Sequence, residues 1–262
     1  MRYFPARSLP LAVALCLARP AWATGGIDCL RKAYPEFVVA IDEETLELAD
    51  GSRMPFGKGT RGDFESRLNS ADLRDQMSQC YPAGFPVAVP QADNDPGRLR
   101  SESFFRRLYG GSAEIVQSRL RPVYWAPAGK TVSFTAVGGA DRALTRVGKA
   151  IAARPAASAL VSRLAGTFNW RPIQGTGRQS AHSFGAAIDF QLPKGLGHYW
   201  QWSGCRPGQR CAFPAAVLKD ADLQEVVRIF ESEGFIWGGK WHHFDTIHFE
   251  YRPELLVSGC AC

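Results

Sequence analysis

The chain has 262 residues, of which 45% are apolar, and carries a formal net charge of +6. This length is enough for a sizeable core, in one domain with an extension or in two small domains. The basic residues form no stripe with interleaved aromatic side chains, which argues against a nucleic-acid partner.

Residues 1–23 predict a secretory signal peptide. Arg2 and Arg7 precede an apolar run over residues 9–18, and residues 21–23 (Ala-Trp-Ala) have the form of a cleavage site. The apolar run is too short for a transmembrane helix, although an uncleaved anchor is the alternative, and no later segment is long enough to span a bilayer. We therefore expect an exported protein, periplasmic or secreted, whose mature net charge is about +3 because three arginines are removed.

Seven cysteines become six when the signal peptide is removed, and an even number in an exported chain indicates disulfides. The spacing favours a bond between Cys205 and Cys211. The remaining cysteines would then form a Cys29–Cys80 pair and a bond that involves the terminal Cys-Ala-Cys. A zinc knuckle is the rival explanation, but the chain lacks paired CxxC spacing.

Residues 24–100 predict a less regular N-terminal extension of unknown role. Alternation over residues 36–56 predicts a hairpin that turns at Asp50-Gly51. A short helix is expected within residues 64–80, ending near Cys80. The turn-rich segment 89–99 marks the boundary of a second domain.

Residues 101–262 form this second predicted domain, which mixes helices and strands. A partly helical segment comes first and two strands joined by a Pro/Gly turn follow, over residues 103–120 and 121–139. A helix is expected from residue 140 that stops before Pro155, with a continuation that ends at Gly166. Residues 218–234 predict another helix, capped by Gly234.

Two predicted strands carry polar residues on one face only. In residues 187–192 apolar residues alternate with polar ones, and the polar face carries Asp189. In residues 246–251 the same alternation places His248 and Glu250 on the polar face. If both strands belong to one sheet, these polar faces line the same cleft.

His182 precedes the first of these strands and is separated from it by a glycine turn, so its side chain can swing back toward Asp189. Together with His248 it completes three ligands of zinc type, the arrangement of a catalytic zinc site that activates water. A base is expected beside that water. Asp245, in the turn before the second strand, and Glu250 are the candidates, and Glu250 could instead orient His248. Three other histidines are interpreted as surface or rim residues: His198, His242 and His243.

The same segments resemble the patterns of a known family. Residues 180–190 (SAHSFGAAIDF) match SxHxxGxAxD, and residues 244–253 (FDTIHFEYRP) match DxxHFE. Both patterns are hallmarks of exported zinc peptidases that cut peptidoglycan peptides. These are D-alanyl-D-alanine carboxypeptidases and L-alanyl-D-glutamate endopeptidases, whose fold is shared with the Hedgehog signalling domain. The likeness covers roughly residues 123–256.

The resemblance implies an α+β fold, in which an antiparallel sheet with flanking helices forms a zinc cleft. It implies that Zn²⁺ is held by His182, Asp189 and His248. It also implies Asp245 as the general base, in preference to Glu250.

Further roles follow from the same resemblance. Arg178 is similar to an arginine near the site in relatives, which could stabilise an oxyanion or hold a substrate carboxylate. Ser180 could brace the first ligand, and Arg171 is a candidate for substrate contact or an ordinary surface arginine. Two departures stand out: Lys240 occupies a position where relatives often carry aspartate, and residues 194–214 look like an insertion near the cleft.

We therefore expect a zinc metallopeptidase that hydrolyses amide bonds in peptidoglycan stem peptides, as a carboxypeptidase or an endopeptidase. The alternative is a catalytically inactive, zinc-containing module that binds cell-wall material or peptides. Asp245 favours the enzyme, because a binding module has no need of a carboxylate at that position. A disulfide-stapled structural protein is a third possibility and predicts no zinc.

Overall fold

A computed structural model of the protein describes residues 22–42, 44–173, 176–206 and 212–260. The predicted signal peptide lies outside the described residues except for its last two positions, where the first helix begins. Within the described ranges, every helix is too short or too polar to cross a membrane.

The described residues are of mixed helical and strand structure, as the α+β class predicts. The α-helices α1 to α8 span Trp22–Ala33, Phe64–Ser70, Leu73–Gln76, Glu102–Tyr109, Ala113–Ser118, Ala140–Ala152, Pro155–Leu160 and Ala221–Ser232. The strands β1 to β9 span Val38–Ile41, Thr45–Leu48, Arg53–Pro55, Leu120–Trp125, Lys130–Thr135, Leu164–Gly166, Ala187–Phe190, Phe235–Trp237 and His248–Tyr251.

These strands form three antiparallel sheets. The first has the order β1-β2-β3, the second pairs β4 with β5, and the third has the order β6-β7-β9-β8. In the third sheet β7 lies beside β9, with Asp189 directly opposite His248. The expectation that the two polar-faced strands share one sheet is therefore confirmed.

The main core lies between this third sheet and the helices α6 and α8. Leu144 and Val147 of α6 are fully buried, as their helical spacing predicts. Phe230 of α8 stacks on Phe249 of β9 with ring centroids 4.1 Å apart. Since the helices cover the apolar face of β7 and β9, the polar face that carries His248 is left to line a cleft.

A second core joins the N-terminal residues to the rest of the chain. Leu30 of α1, Leu46 of β2, Phe104 of α4 and Phe184 belong to one buried cluster. Residues from both sides of position 100 thus share a core, and the predicted domain boundary there stays a prediction.

The disulfide pattern differs from the pairing that spacing left over. Cys29 is bonded to Cys260, so the pair Cys29–Cys80 is not formed. The tertiary structure overrides sequence proximity, because α1 packs against the segment Pro253–Leu255 at the end of the chain. Cys80 and Cys205 are also disulfide-bonded. The predicted partner of Cys205 is Cys211, which lies outside the described residues.

Two predicted helices have different bounds in the structure. The segment 64–80 contains two helices instead of one, because Asp72 caps α3 and exchanges hydrogen bonds with Asp75 in a capping box. The helix predicted to end at Gly166 stops at Leu160. Gly166 instead belongs to β6, where it pairs with Asp189.

Candidate metal centre and its cleft

A cleft of about 960 Å³ opens over the polar face of β7 and β9. The sheet and the turn before β7 supply one wall. The opposite wall comes from α2, from residues in the segment 93–100 and from residues 199–202. Much of the cleft is therefore built from residues outside the two strands that the sequence pattern identified.

His182, Asp189 and His248 meet in this cleft and are called here the strand cluster. Each offers one ligand atom, and these atoms lie within 4.8 Å of one another. Nε2 of His182 is 3.0 Å from Oδ2 of Asp189, and Nδ1 of His248 is 2.8 Å from Oδ1 of the same carboxylate. The three predicted ligands are thus brought together.

A single turn of 3-10 helix, Ala181–Phe184, presents His182. Oγ of Ser180 caps this turn and accepts a hydrogen bond from the His182 amide at 3.3 Å. Gly185 ends the turn in the left-handed region with φ +62°, where a Cβ would also clash with Leu120. Nδ1–H of His182 donates to the carbonyl of Thr167 at 2.7 Å, which leaves Nε2 as the nitrogen that faces the other ligands.

His248 lies between two carboxylates. Its Nδ1 faces Asp189, and its Nε2 is 3.3 Å from Oε2 of Glu250. Burial alone would lower the pKa of His248, but Asp189 and Glu250 together raise that pKa to about 10. The metal-free chain therefore holds a proton here, and a dication that takes the His248 nitrogen would release it.

Asp245 lies in the turn before β9, where its amide donates to the carbonyl of Gly238 at 2.9 Å. Its Oδ1 is buried and has no hydrogen-bond partner among the described residues. Burial, opposed by the charge of His248, raises the pKa of this carboxyl to about 6. An unpaired buried acceptor beside the strand cluster fits a group that takes up a proton when water and substrate enter the cleft.

Glu250 is buried in a different environment. It accepts hydrogen bonds from His248 and, at 3.1 Å, from Arg252. Burial would raise its pKa, but the His248 hydrogen bond, Arg252 and Arg100 lower that pKa to about 2. A carboxylate held in this way orients His248 and is a poor proton acceptor, which favours Asp245 as the base.

The network behind Glu250 reaches the N-terminal region. Nε of Arg252 donates to Oε1 of Glu254 at 2.6 Å, and Glu254 also accepts from Tyr34 at 2.8 Å and from Gln76 at 3.0 Å. Arg252 and Glu254 are completely buried. The N-terminal residues therefore help to fix the strand that carries His248.

Arg178 lines the cleft, as the resemblance implied, and is 6% exposed. Its Nη2 donates to the carbonyl of Arg98 at 2.7 Å, but its Nε is buried without a partner among the described residues. Burial and the nearby charge of Arg100 lower the pKa of Arg178 to about 9. Arg171 is exposed at the edge of the cleft, where its carbonyl accepts from the Ser180 amide.

Arg100 is a cleft residue that the sequence reasoning missed. It is 3% exposed, stacks over the rings of Phe105 and Phe184, and donates to the carbonyl of Gln179. Its buried Nε also lacks a partner within the described part of the chain. No sequence signal pointed to it, because residue 100 lies outside both motifs, directly after the turn-rich segment 89–99.

The interpretation of His243 as a surface residue is wrong, although His243 does line the cleft. His243 is 6% exposed and its Nδ1 is 2.6 Å from Oδ2 of Asp95. His243, His242 and Asp93 form a second group of side chains whose ligand atoms lie within 4.8 Å of one another. The Asp-x-Asp spacing of Asp93 and Asp95 was the available signal, but only tertiary packing places it beside the histidines.

Lys240, the departure from the family pattern, is buried away from the cleft lining. Its Nζ donates to Glu231 at 2.6 Å and to the carbonyls of Pro82 and Gly84 at 2.7 Å. The lysine thus ties the N-terminal region to α8. Residues 199–202 of the predicted insertion line the cleft, and among them Trp202 is 72% exposed.

Comparison with known proteins bears on the segment that carries the strand cluster. Residues 174–251 match the family model described as D-alanyl-D-alanine carboxypeptidase. Over 82 residues the chain is 37% identical to the peptidoglycan L-alanyl-D-glutamate endopeptidase CwlK of Bacillus subtilis (strain 168). That stretch covers 30% of this chain and 42% of the relative, so less than half of the relative is matched. No solved structure gives a significant match.

Proposed function

We propose that this chain is a zinc metallopeptidase of the peptidoglycan peptidase family, on the basis of residues 174–251, which match the family model described as D-alanyl-D-alanine carboxypeptidase. Its substrates are amide bonds in peptidoglycan stem peptides. The observation that carries the proposal is the strand cluster in a cleft that also contains the unpaired Asp245 carboxylate.

The strand cluster fits zinc by its chemistry. Two imidazoles and one carboxylate are typical zinc donors, and three protein ligands leave a coordination position open. His182, Asp189 and His248 would hold the ion. When bound, zinc supplies a Lewis acid that polarises the scissile carbonyl and lowers the pKa of a water molecule.

The proton transfers are assigned to Asp245. Its carboxylate accepts a proton as the water oxygen bonds to the carbonyl carbon, and it returns the proton to the amine nitrogen as the C–N bond breaks. The products are one carboxylate and one amine. Burial raises the pKa of this carboxyl in the metal-free chain, and a dication nearby would lower that pKa again and favour the ionised form that accepts the proton.

Arg178 provides an N–H group for negative charge in the cleft. Since Arg178 lines the cleft, its guanidinium can donate to the carbonyl oxygen as charge develops there, or to a carboxylate of the substrate. Ser180 holds the turn of His182, and Arg171, at the edge of the cleft, can contact the substrate beyond the cut bond.

The fold and location of the chain belong to the same proposal. The antiparallel sheet β6-β7-β9-β8 with helices on one face and a cleft on the other supports a Hedgehog/DD-peptidase-like architecture. The sequence of residues 1–23 supports export to the periplasm or to the outside of the cell.

Digestion of purified peptidoglycan by the zinc-loaded chain, followed by mass spectrometry of the products, tests this proposal. Release of D-alanine would identify a carboxypeptidase, and separation of L-alanine from D-glutamate would identify an endopeptidase. Binding of the chain to peptidoglycan with no cut amide bond would overturn the proposal in favour of a zinc-containing binding module.

A further inference from the structure

We propose that Asp93, His242 and His243, called here the rim cluster, form a second divalent-cation site beside the cleft. Each side chain offers one ligand atom, and these atoms lie within 4.8 Å of one another, as in the strand cluster. Asp93 and His243 both line the cleft. This inference does not depend on the proposed peptidase activity.

His243 is oriented as metal-bound histidines usually are. Its Nδ1–H donates to Oδ2 of Asp95 at 2.6 Å, which leaves the lone pair of Nε2 free for a cation. Asp95 is itself fixed, because its other oxygen accepts from the His243 amide at 2.8 Å and its own amide donates to Gln79 at 2.8 Å. A buried carboxylate behind the imidazole strengthens the ring as a ligand.

The ring of His243 is also held in its plane by aromatic neighbours. Phe64 of α2 stacks on it with centroids 5.3 Å apart and an angle of 10° between the rings. Trp200 packs edge-on at 4.8 Å from another direction. A ligand held in one orientation loses little conformational entropy when it binds a metal.

His242 and Asp93 supply the other two metal-ligand atoms, which lie close to each other. Nδ1 of His242 accepts a hydrogen bond from the Asp93 amide at 3.1 Å and lies 3.8 Å from Oδ1 of the Asp93 side chain. Its lone pair therefore already points toward the Asp93 loop. A cation that took this lone pair would release the Asp93 amide, and water can satisfy that amide because the Asp93 side chain is 55% exposed.

The donor set indicates which cations fit. Two imidazoles and one carboxylate suit zinc and similar first-row dications, whereas magnesium and calcium prefer oxygen ligands. Every side chain of the strand cluster is at most 22% exposed, but Asp93 is 55% exposed. The rim cluster should therefore bind the same metal more weakly than the strand cluster.

An ion at the rim cluster would brace the wall of the cleft. It would join the Asp93 loop, which lies outside the family-matched segment, to the loop that carries Asp245. Direct hydrogen bonds already join these two loops: the His242 amide donates to the carbonyl of Asn94 at 3.0 Å, and the guanidinium of Arg98 donates twice to the carbonyl of His243 at 3.0 and 2.7 Å. Metal binding would add a charged link at the exposed side of this contact.

Equilibrium dialysis of the untagged chain at micromolar free zinc, followed by elemental analysis, tests the site. We expect about two zinc ions per native chain, and about one in His242→Ala and in Asp93→Asn. Asp93 is exposed, so its substitution keeps the test valid if the histidine variant fails to fold. His198→Ala is the matched control, because this partly exposed histidine belongs to neither cluster, and it should keep about two.

His248→Ala separates this inference from the proposed function. If it lowers the zinc content to about one while His242→Ala also gives about one, both clusters bind metal. A native chain with one zinc that is lost only in His248→Ala would overturn the rim site and leave the proposed peptidase intact. A native chain with one zinc that is lost only in His242→Ala would support the rim site and overturn the proposed catalytic metal. A native chain without zinc would overturn both.

Discussion

The strand cluster and the rim cluster offer the same three donors, two histidines and an aspartate, but they are positioned in different ways. Asp189 and His248 face each other across a pair of hydrogen-bonded strands. His242 and Asp93 are 149 residues apart and meet through loops. Regular backbone pairing fixes the first pair, whereas individual contacts of side chains and loops fix the second.

A buried carboxylate supports a histidine in each cluster. Glu250 lies 3.3 Å from His248, and Asp95 lies 2.6 Å from His243. The two carboxylates differ in their other partner, because Glu250 accepts a hydrogen bond from the buried Arg252, whereas Asp95 accepts one from the backbone amide of His243. The same set of two histidines and one aspartate can therefore be positioned by paired strands or by loops that a bound ligand would stabilise.

Removal of one histidine from each cluster should give the largest contrast. His248→Ala removes a ligand of the strand cluster, so hydrolysis of peptidoglycan peptides should fall below detection together with the tightly bound zinc. His242→Ala should reduce turnover far less, since its cluster lies at the rim. Turnover and metal content should be measured on both variants. An inactive His242→Ala beside an active His248→Ala would contradict the assignment of the catalytic metal to the strand cluster.

Removal of the carboxylate behind each histidine should have a smaller effect. Glu250→Gln should weaken zinc binding at the strand cluster, and Asp95→Asn should weaken it at the rim cluster, each by about 10–100-fold. Zinc titrations against a competing chelator would measure both affinities. A variant that changed the affinity of the other cluster would show that the two sites are not independent.

The burial of Asp245 should make the stability of the metal-free chain depend on pH. Burial raises the pKa of Asp245 from 3.8 to about 6, so its contribution to stability is fully present below about pH 4 and is lost as pH rises through about 6. Asp245→Asn removes that loss. Between pH 4 and pH 7.5, the free energy of unfolding of the chelator-treated Asp245→Asn variant should therefore fall less than that of the native chain, by at most about 3 kcal/mol.

Asp93→Asn provides the control for that measurement. The Asp93 side chain is exposed, so its substitution should change the free energy of unfolding by less than about 0.5 kcal/mol across the same pH range. Urea denaturation at each pH measures both variants. If the free energy of unfolding changes with pH in the same way in the native protein and in Asp245→Asn, burial does not raise the pKa of the Asp245 carboxyl.

Local sequence patterns identified the side chains of the strand cluster, but their meeting in one site rested on the assumption that both strands share one sheet and on the family resemblance. Alternation identified the polar faces of β7 and β9, and the glycine at position 185 indicated the turn that brings His182 back to Asp189. These features depend on neighbouring residues in the chain. These patterns do not fix the register that sets Asp189 opposite His248, because a shift by two residues keeps both polar faces toward the cleft.

Other parts of the molecule depend on contacts between distant segments, which no local pattern encodes. The sequence pattern predicts Gly166 as the end of a helix, but Gly166 lies in β6, which pairs with β7. Cys29 bonds Cys260 across 231 residues, and Asp95 meets His243 across 148. Arg100 enters the cleft for the same reason, through the packing of the N-terminal region onto the sheet.

The role of Asp245 as the general base is tested by Asp245→Asn, when zinc content and turnover are measured on the same preparation. The account predicts that zinc stays bound at the strand cluster while turnover on peptidoglycan peptides falls by roughly 10²–10⁴-fold, the size of a general-base contribution. Glu250→Gln, measured beside it, should lose activity only as far as it loses zinc. Near-native turnover in Asp245→Asn, with an inactive Glu250→Gln that retains its zinc, would contradict the account and transfer the role of base to Glu250.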